Sequence, residues 1–297
     1  MAKHSLYAET RPLKIKHIIA SVSLLLLSAC SSTGLFLLNS ALRLNSEHSV
    51  SKDVAFGQDE WQKLDIYTPN RSAQQAKPVL VFFYGGSWDS GSKEMYFFVA
   101  DAFTRLGYVV IIPDYAKYPA ARFPAFMEDG AAAIAWTKQN VANYGGDPQK
   151  IFIAGHSAGA HLGGLLLTDE RYLKKHGLSP LDVQGFSGLA GPYNFTPTRP
   201  SLMEVFGPPE NYPNMQVMNF VNGDEPPMLL LHGAKDDIVG VRNQELLIEK
   251  LSAVGNLSTG VLYPGLTHTS ILTSLTWPLK KNSSTLDDMD KFFKSLL

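Results

Sequence analysis

Short apolar runs alternate with stretches of helical periodicity along most of the chain. The apolar runs are bounded by turn residues, which is typical of buried strands. They cover residues 77–83, 108–112, 150–154, 183–189, 227–231 and 261–263. Helical stretches follow at residues 100–106, 128–140, 161–167, 244–254 and 287–297. This alternation predicts an α/β domain with a mainly parallel sheet and helices on both faces.

Two further segments extend this domain, which we predict to cover residues 60–297. Residues 61–67 alternate between polar and apolar positions and are followed by Thr68-Pro69-Asn70, which predicts an edge strand. Residues 193–222 are rich in proline and aromatic residues and have little periodicity. We expect this second segment to form a small cap.

The first 30 residues have the pattern of a secretory signal. Residues 1–17 contain four Lys or Arg residues and one Glu, and the short apolar run 18–27 follows. Ser28, Ala29 and Cys30 then provide a small-residue cleavage site. The apolar run is too short for a convincing membrane span.

Cys30 is the one cysteine of the 297 residues, and it lies at the end of this pattern. The segment Leu27-Ser28-Ala29-Cys30 resembles the bacterial lipobox. The resemblance implies that residues 1–29 are removed, that Cys30 is diacylated and that residues 30–59 form a tether. Serine at positions 31 and 32 favours an outer-membrane anchor facing the periplasm. An ordinary secretory signal or an uncleaved anchor, with an incidental cysteine, is the alternative.

Charge and composition indicate which partners and which kind of core the chain can have. The net charge is −1, and no Lys/Arg cluster occurs after the signal segment, so nucleic-acid binding is not indicated. A length of 297 residues with 45% hydrophobic content allows one large core. After removal of residues 1–29, the chain has no second cysteine for a disulfide. Its oligomeric state is not indicated.

The segment Gly155-His156-Ser157-Ala158-Gly159 lies between a predicted strand and a predicted helix. A strand, a Gly-x-Ser-x-Gly turn and a helix form a nucleophile elbow, in which a strained turn exposes the serine hydroxyl. Glycine is needed on both sides because strand and helix approach each other closely there. Ser157 is therefore the candidate nucleophile.

Candidate partners of Ser157 follow three other predicted strands. Residues 84–88 contain a Gly-Gly turn, which could present backbone N–H groups to an oxyanion. Asp236 and Asp237 follow the strand at 227–231, and His268 follows the last strand. The order Ser, Asp, His is that of α/β-hydrolases, whose ligands gather at the carboxyl ends of the strands.

The segments Tyr84–Trp88, Tyr144–Pro148 and Gly155–Leu162 resemble the carboxylesterase branch of the α/β-hydrolase superfamily. Within that branch, arylformamidase-like, isoprenylcysteine-methylesterase-like and feruloyl-esterase-like enzymes are the most similar in pattern. The resemblance covers about residues 60–297. One difference is that Tyr84 stands where the branch usually has a histidine, and this puts the geometry of the loop in question.

The resemblance and the elbow together imply a role for each site residue. Ser157, His268 and Asp236 would form the triad; the family pattern His-Gly-x-x-Asp-x-x-Val favours Asp236, with Asp237 as the alternative. The N–H of Ala158 is one expected oxyanion donor. The N–H of Gly86 is the second expected oxyanion donor, and the N–H of Ser87 is a further candidate. No cofactor and no metal are implied.

The predicted function is a serine carboxylester hydrolase of the cell envelope that acts on small esters. A formamidase or a peptidase with the same triad is an alternative within the enzymes. A noncatalytic binding protein with this fold is a third hypothesis, although the chain retains all three triad residues. We interpret His156, His161 and His232 as structural. Four aromatic residues could line the substrate pocket or belong to the core: Trp88, Phe123, Phe206 and Tyr212.

Overall fold

The computed structural model describes residues 32–70, 75–276 and 279–297. The predicted signal peptide and Cys30 lie outside these ranges. No helix in the described part of the chain is long and apolar enough to cross a membrane.

One mainly parallel sheet forms the centre of the described structure. Its strands are β1 (His48–Ala55), β2 (Lys63–Pro69), β3 (Lys77–Phe83), β4 (Val109–Pro113), β5 (Gly146–His156), β6 (Gly185–Leu189), β7 (Met228–Gly233) and β8 (Thr259–Tyr263). They lie side by side in the order β1-β2-β4-β3-β5-β6-β7-β8. The strands from β3 to β8 pair in parallel, and β2 runs antiparallel to both of its neighbours.

Helices connect or flank the strands. They are α1 (Ser32–Arg43), α2 (Phe97–Arg105), α3 (Ala125–Asn140), α4 (Ala158–Thr168), α5 (Arg171–Lys174), α6 (Pro200–Phe206), α7 (Tyr212–Met215), α8 (Arg242–Ala253), α9 (Ser270–Thr273) and α10 (Thr285–Lys294). Every strand and helix predicted from the apolar pattern overlaps one of these elements. The mainly parallel α/β architecture is therefore confirmed.

The start of the domain differs from the prediction. The predicted edge strand at 61–67 corresponds to β2, which is an inner strand because β1 pairs with its outer side. Buried Lys93 links the two strands: its Nζ lies 2.7 Å from a carboxylate oxygen of Asp53 on β1 and 3.2 Å from one of Asp65 on β2. The segment predicted as a tether at 30–59 thus contains a strand of the sheet, and the boundary at residue 60 is too late.

Helix α1 also lies in the predicted tether and packs on the domain. The Asn39 side chain donates a hydrogen bond to the carbonyl of Met95 at 2.8 Å and accepts one from the N–H of Phe98 at 3.1 Å. Leu42 of the same helix is buried. The apolar run at 34–38 favours a short helix that packs on the domain rather than on the membrane, and α1 agrees with this. Residues 39–53 look polar, because strand β1 buries few of its side chains, so the sequence does not reveal that strand.

Neighbouring residues of β5 contact helices on opposite faces of the sheet, as the alternation of side chains along a strand requires. The ring of Phe152 packs on Phe293 of α10, with centroids 4.7 Å apart. Ile153 points toward α4, where a Cβ at Gly163 would lie 3.1 Å from it. Helices therefore cover both faces, and the middle of the sheet is buried on both sides.

The proline-rich segment 193–222 contains α6, α7 and short 3₁₀ turns. It packs onto the carboxyl end of the sheet through aromatic rings: Phe206 meets Trp88 edge-to-face with centroids 4.8 Å apart, and Phe195 stacks on Trp88 at 5.7 Å. These contacts bring the segment next to the loops that follow β3 and β5.

Candidate active site

Ser157 occupies a sharp turn between β5, which ends at His156, and α4, which begins at Ala158. Its backbone has φ 53° and ψ −120°, a conformation that residues other than glycine rarely adopt. The Ser157 N–H donates to the carbonyl of Leu189 at 2.9 Å, which ties the turn to the neighbouring strand. Strain of this kind persists only when the surrounding structure holds it in place.

The two glycines of the turn are required by close packing. A Cβ at Gly155 would lie 2.4 Å from the carbonyl oxygen of Gly159, and one at Gly159 would lie 2.0 Å from that of Phe83. Both distances are far below van der Waals contact, and both involve backbone atoms that cannot turn aside. The steric reason for the Gly-x-Ser-x-Gly pattern is confirmed.

Ser157, His268 and Asp236 form a continuous series of hydrogen bonds. Nε2 of His268 lies 3.0 Å from Ser157 Oγ, and its Nδ1 lies 2.8 Å from Asp236 Oδ2. Because an ionised carboxylate can only accept, Nδ1 carries the proton and Nε2 is free to accept the serine proton. The loops after β7 and β8 supply the aspartate and the histidine.

Three hydrogen bonds hold Asp236 as an anion, and a second histidine, whose Nε2–H donates to the carbonyl of Val239 at 2.9 Å, lies beside it. Oδ1 accepts the N–H groups of Ile238 and Val239, each at 2.9 Å. Oδ2 accepts from His268 and lies 3.1 Å from Nε2 of His232. Burial alone would raise the pKa of Asp236, but these hydrogen bonds outweigh it and hold that pKa well below its usual range.

The structure distinguishes the two neighbouring aspartates. Asp237 is exposed and makes no hydrogen bond to His268, whereas Asp236 makes one. The sequence pattern did not reveal the second histidine at this carboxylate. We interpreted His232 as structural only, but its ring contacts Asp236 directly, and its buried Nδ1 has no partner in the described residues.

The loop after β3 has an unusual backbone. Gly86, Ser87 and Trp88 follow one another with φ values of 136°, 51° and 61°. The Gly86 carbonyl accepts the N–H groups of Asp89 and Ser90, both at 3.0 Å, and closes the turn. A Cβ at Gly86 would lie 2.3 Å from the carbonyl oxygen of Ser90, so this position has room for glycine alone.

Tyr84 anchors the start of this loop. Its ring is fully buried and stacks on Tyr115 with centroids 4.7 Å apart. Its hydroxyl donates to Asp114 at 2.5 Å and accepts from Nζ of Lys117 at 2.9 Å. Burial, together with the nearby Tyr115 and Asp114, raises the pKa of Tyr84 well above its usual value, so the hydroxyl stays protonated. The tyrosine therefore holds the loop through a buried polar network.

Two further histidines near the elbow are neutral. His156 Nε2 lies 2.9 Å from the carbonyl of His268, and burial is the main cause that lowers the pKa of His156 to about 3. His161 Nε2 lies 2.7 Å from the carbonyl of Met215, and burial lowers its pKa to about 4. Both connect backbone segments around the site, as expected for structural histidines. The described residues contain no cluster of His, Cys, Asp and Glu that could hold a metal ion.

A cavity of about 230 Å³ opens beside Ser157. Its apolar wall consists of Trp88, Pro192, Phe195, Leu202, Ile238 and Val239. Its polar lining consists of Ser87, Ser157, Arg199 and Asn243, with Gly240 between the two parts. Segment 193–222 supplies three of these residues, which is consistent with a cap.

Of the four aromatic residues considered for the pocket, Trp88 lines the cavity. Phe123 and Phe206 pack against each other behind it, with centroids 5.7 Å apart. Tyr212 borders a separate surface concavity. Phe195, Arg199 and Asn243 could not be identified from the sequence, because no local pattern distinguishes them from other loop residues.

The chain is similar to named esterases. Esterase LipC of Mycobacterium tuberculosis is 31% identical over 236 residues, which cover 72% of this chain and 58% of that protein. The isoprenylcysteine alpha-carbonyl methylesterase ICME of Arabidopsis thaliana is 27% identical over 80% of this chain and 60% of its own length. The chain thus spans somewhat less than two thirds of these relatives.

Solved structures share the fold. A truncated carbohydrate esterase from gut microbiota has a TM-score of 0.73 at 22% identity and covers 84% of this chain and 97% of its own. Esterase B from Lactobacillus rhamnosus, inhibited by a tributyrin phosphonate, has a TM-score of 0.76 at 18% identity and covers 95% and 96%. The fold is therefore the α/β-hydrolase fold. The family model BD-FAE matches residues 64–251, from β2 to the end of α8, and the chain belongs to the BD-FAE family.

Proposed function

We propose that this protein is a serine carboxylester hydrolase that works through an acyl-enzyme intermediate. The observation that carries the proposal is the series of hydrogen bonds from Ser157 through His268 to Asp236, beside an open cavity. The esterase and methylesterase names of two relatives support an ester as the substrate. A noncatalytic role is less well supported, because the side chains of Ser157, His268 and Asp236 lie within hydrogen-bonding distance of one another.

In the first half-reaction, Ser157 Oγ attacks the ester carbonyl carbon while its proton passes to His268 Nε2. The carbonyl oxygen becomes an oxyanion in a tetrahedral intermediate. His268 then returns the proton to the departing alkoxide oxygen, the ester C–O bond breaks, and the acyl group stays on Ser157. Asp236 remains ionised and stabilises the imidazolium through Nδ1–H.

In the second half-reaction, a water molecule takes the place of the alcohol. His268 accepts a proton from that water as its oxygen attacks the acyl-enzyme carbonyl. Collapse of the second tetrahedral intermediate returns a proton to Ser157 Oγ and releases the carboxylic acid. The enzyme is thus restored without a cofactor.

We assign the oxyanion site to the N–H of Ala158 together with the N–H groups of the Gly86-Ser87 turn. Ala158 is the first residue of α4, where N–H groups have no partner within the helix. Ser87 lines the cavity together with Ser157, which supports its loop as the other side of the site. Tyr84 and its buried partners would keep that loop in place during turnover.

The cavity supports small or short-chain esters as substrates, because about 230 Å³ accommodates only a limited acyl or alcohol group. A series of p-nitrophenyl esters from acetate to decanoate tests this with the purified protein. We expect kcat/KM to be highest for the short acyl chains. Ser157→Ala should lower kcat by roughly 10⁶, as is usual when a triad nucleophile is lost. Near-native turnover by Ser157→Ala would refute the proposal, and faster hydrolysis of formanilide than of any ester would favour a formamidase.

We also propose that the protein is anchored in the cell envelope through a lipid on Cys30, with the domain facing the periplasm from the outer membrane. The support is the sequence of residues 1–32 alone. Stable anchoring requires more than one acyl chain, which a diacylated cysteine provides. One residue, Ser31, separates Cys30 from the first residue of α1, so the anchor would attach almost directly to the folded domain.

A further inference from the structure

We infer that Arg199 is a specificity-determining residue that selects esters bearing a second, ionised carboxylate. The inference rests on the proposed function, because it concerns the substrate of the same site. Arg199 lines the cavity that contains Ser157, and it is the charged side chain of that lining. No acidic residue lines the cavity, so the positive charge is not neutralised within it.

Arg199 differs from the other arginines in the described ranges. Each of those has a partner: Arg43 lies over the ring of Phe97, Arg105 binds Asp101, Arg122 binds Glu204, Arg171 binds Asp169 and Arg242 binds Glu245. Arg199 has no carboxylate within ion-pair distance and no ring contact in this part of the chain. Its guanidinium is therefore available to an anion in the cavity.

The backbone of Arg199 is fixed at the edge of the cavity. Pro200 follows it, and a residue before proline is restricted to an extended conformation, as the φ of −80° and ψ of 138° show. Its carbonyl accepts the N–H of Met203 at 3.1 Å and joins it to the first turn of α6. The backbone from which the Arg199 side chain extends is thus held at the edge of the cavity.

The surroundings define the chemistry of the ligand. Leu202, Phe195 and Ile238 provide apolar surface in the same cavity, so a short hydrocarbon chain can lie between Ser157 and Arg199. A guanidinium binds a carboxylate with two parallel hydrogen bonds, which an uncharged ester cannot form. The expected substrate is an ester with a few methylene groups and a terminal carboxylate, on either the acyl or the alcohol side.

The test compares a charged ester with a neutral one of nearly the same shape. The charged substrate is the mono-4-nitrophenyl ester of glutaric acid, and the neutral one is its methyl ester. We expect Arg199→Gln to lower the ratio of kcat/KM for the charged over the neutral substrate by roughly 3- to 30-fold. Arg199→Lys should lower this ratio less than Arg199→Gln does. In the unsubstituted protein, added salt should lower the ratio.

Arg122→Gln is the matched control. Arg122 is also exposed and lies near the same segment, but it is paired with Glu204 and borders a different concavity. Its substitution should leave the ratio unchanged. A second pair of substrates, the butyrate esters of 4-hydroxybenzoate and 4-hydroxybenzamide, places the charge on the alcohol side. A ratio that changes less than twofold in Arg199→Gln for both pairs overturns the inference.

A binding measurement separates this inference from the esterase proposal. In the Ser157→Ala protein, calorimetry with glutarate and with neutral glutaramide reports on the anion site without turnover. We expect glutarate to bind more tightly, and Arg199→Gln to remove that preference. If no ester is hydrolysed, the proposed function fails, while glutarate binding still decides whether Arg199 binds a carboxylate in this cavity. Equal binding of glutarate and glutaramide would overturn the inference even in an active esterase.

Discussion

At the scale of single residues, the site depends on how many donors converge on one carboxylate. Asp236 accepts two backbone N–H groups and lies within hydrogen-bonding distance of two histidine rings, whereas its neighbour Asp237 points to solvent. An anion supported in this way can orient His268 and stabilise its charged form without becoming protonated. The carboxylate of Asp237, one position further along the chain, makes none of these contacts.

The two aspartates therefore provide a matched pair of variants. Asp236→Asn keeps the shape but can donate to His268 and stabilise the wrong tautomer, so we expect kcat to fall by roughly 10⁴. Asp237→Asn should change kcat less than about twofold, because surface substitutions away from a site have small effects. Steady-state kinetics on a short p-nitrophenyl ester measures both. The opposite order of effects would show that Asp237 is the triad member.

Buried histidines make stability depend on pH. Burial lowers the pKa of His161 to about 4, so between pH 6.5 and 4 the unfolded chain binds a proton that the folded chain excludes. The free energy of unfolding should therefore decrease as the pH falls through this window, by about 2–3 kcal/mol for this one group at pH 4.5. Urea unfolding at pH 7 and pH 4.5 measures the difference.

The control for this prediction is an exposed histidine. His161→Gln should lose less stability between pH 7 and pH 4.5 than the unsubstituted protein, whatever its stability at pH 7. His176→Gln should retain the full loss, since His176 is exposed. Equal pH dependence in the His161→Gln and unsubstituted proteins would contradict the role of burial.

At the scale of elements, two turns at the carboxyl ends of neighbouring strands create the site. The turn after β5 holds Ser157 at positive φ, and the turn after β3 holds three successive residues at positive φ. Gly85 lies between them: a Cβ there would be 3.0 Å from the Ser157 Cβ. Parallel pairing of β3 with β5 brings these turns together, so the sheet register determines the geometry of the proposed oxyanion site.

Gly86→Val tests the second turn. The added side chain would collide with the Ser90 carbonyl and displace the N–H groups of the loop, so we expect kcat to fall by about 10²–10³, the usual effect of losing one oxyanion donor. Gly177→Ala is the control, because Gly177 also has positive φ but has no atom within 4 Å of its Cβ position. It should cost some stability and leave kcat unchanged. A change in KM alone for Gly86→Val would place the donor elsewhere.

At the scale of the whole molecule, the domain begins earlier than the pattern of apolar strands suggests. Helix α1 packs on the 3₁₀ turn before α2 and on α2 itself, and β1 completes the outer side of β2. The outward side of α1 retains exposed Phe36 and Leu37. A lipid on Cys30 would therefore hold this side of the domain close to the membrane surface.

Truncations and a point variant separate anchoring from folding. Cys30→Ala should abolish labelling with radioactive palmitate and block removal of residues 1–29, with hydrolysis unchanged. A chain that begins at residue 31 should be active, whereas one that begins at residue 45 loses Asn39 and Leu42 and should have a lower Tm, since burial of a leucine side chain contributes about 1.5–3 kcal/mol. Absence of palmitate labelling in the unsubstituted protein would refute the lipid anchor.

The sequence by itself determined the alternation of strands and helices, the elbow at Ser157 and the order of the candidate triad. These features are local: they depend on apolar runs, glycines at fixed spacing and the position of polar residues directly after a strand. Strand β1 escaped detection because it is a mostly exposed strand at the border of the sheet, and its polar sequence has no apolar pattern.

Only the tertiary structure decided which side chains meet across the sheet. It distinguished Asp236 from Asp237, placed His232 against the same carboxylate, joined the buried Tyr84 of the loop to Asp114 and Lys117, and left Arg199 unpaired in the cavity among the described residues. Apart from His232 and Asp236, which are four positions apart, the residues in these contacts are 30 or more positions apart. Their distances follow from strand order and register, which no local pattern of residues specifies.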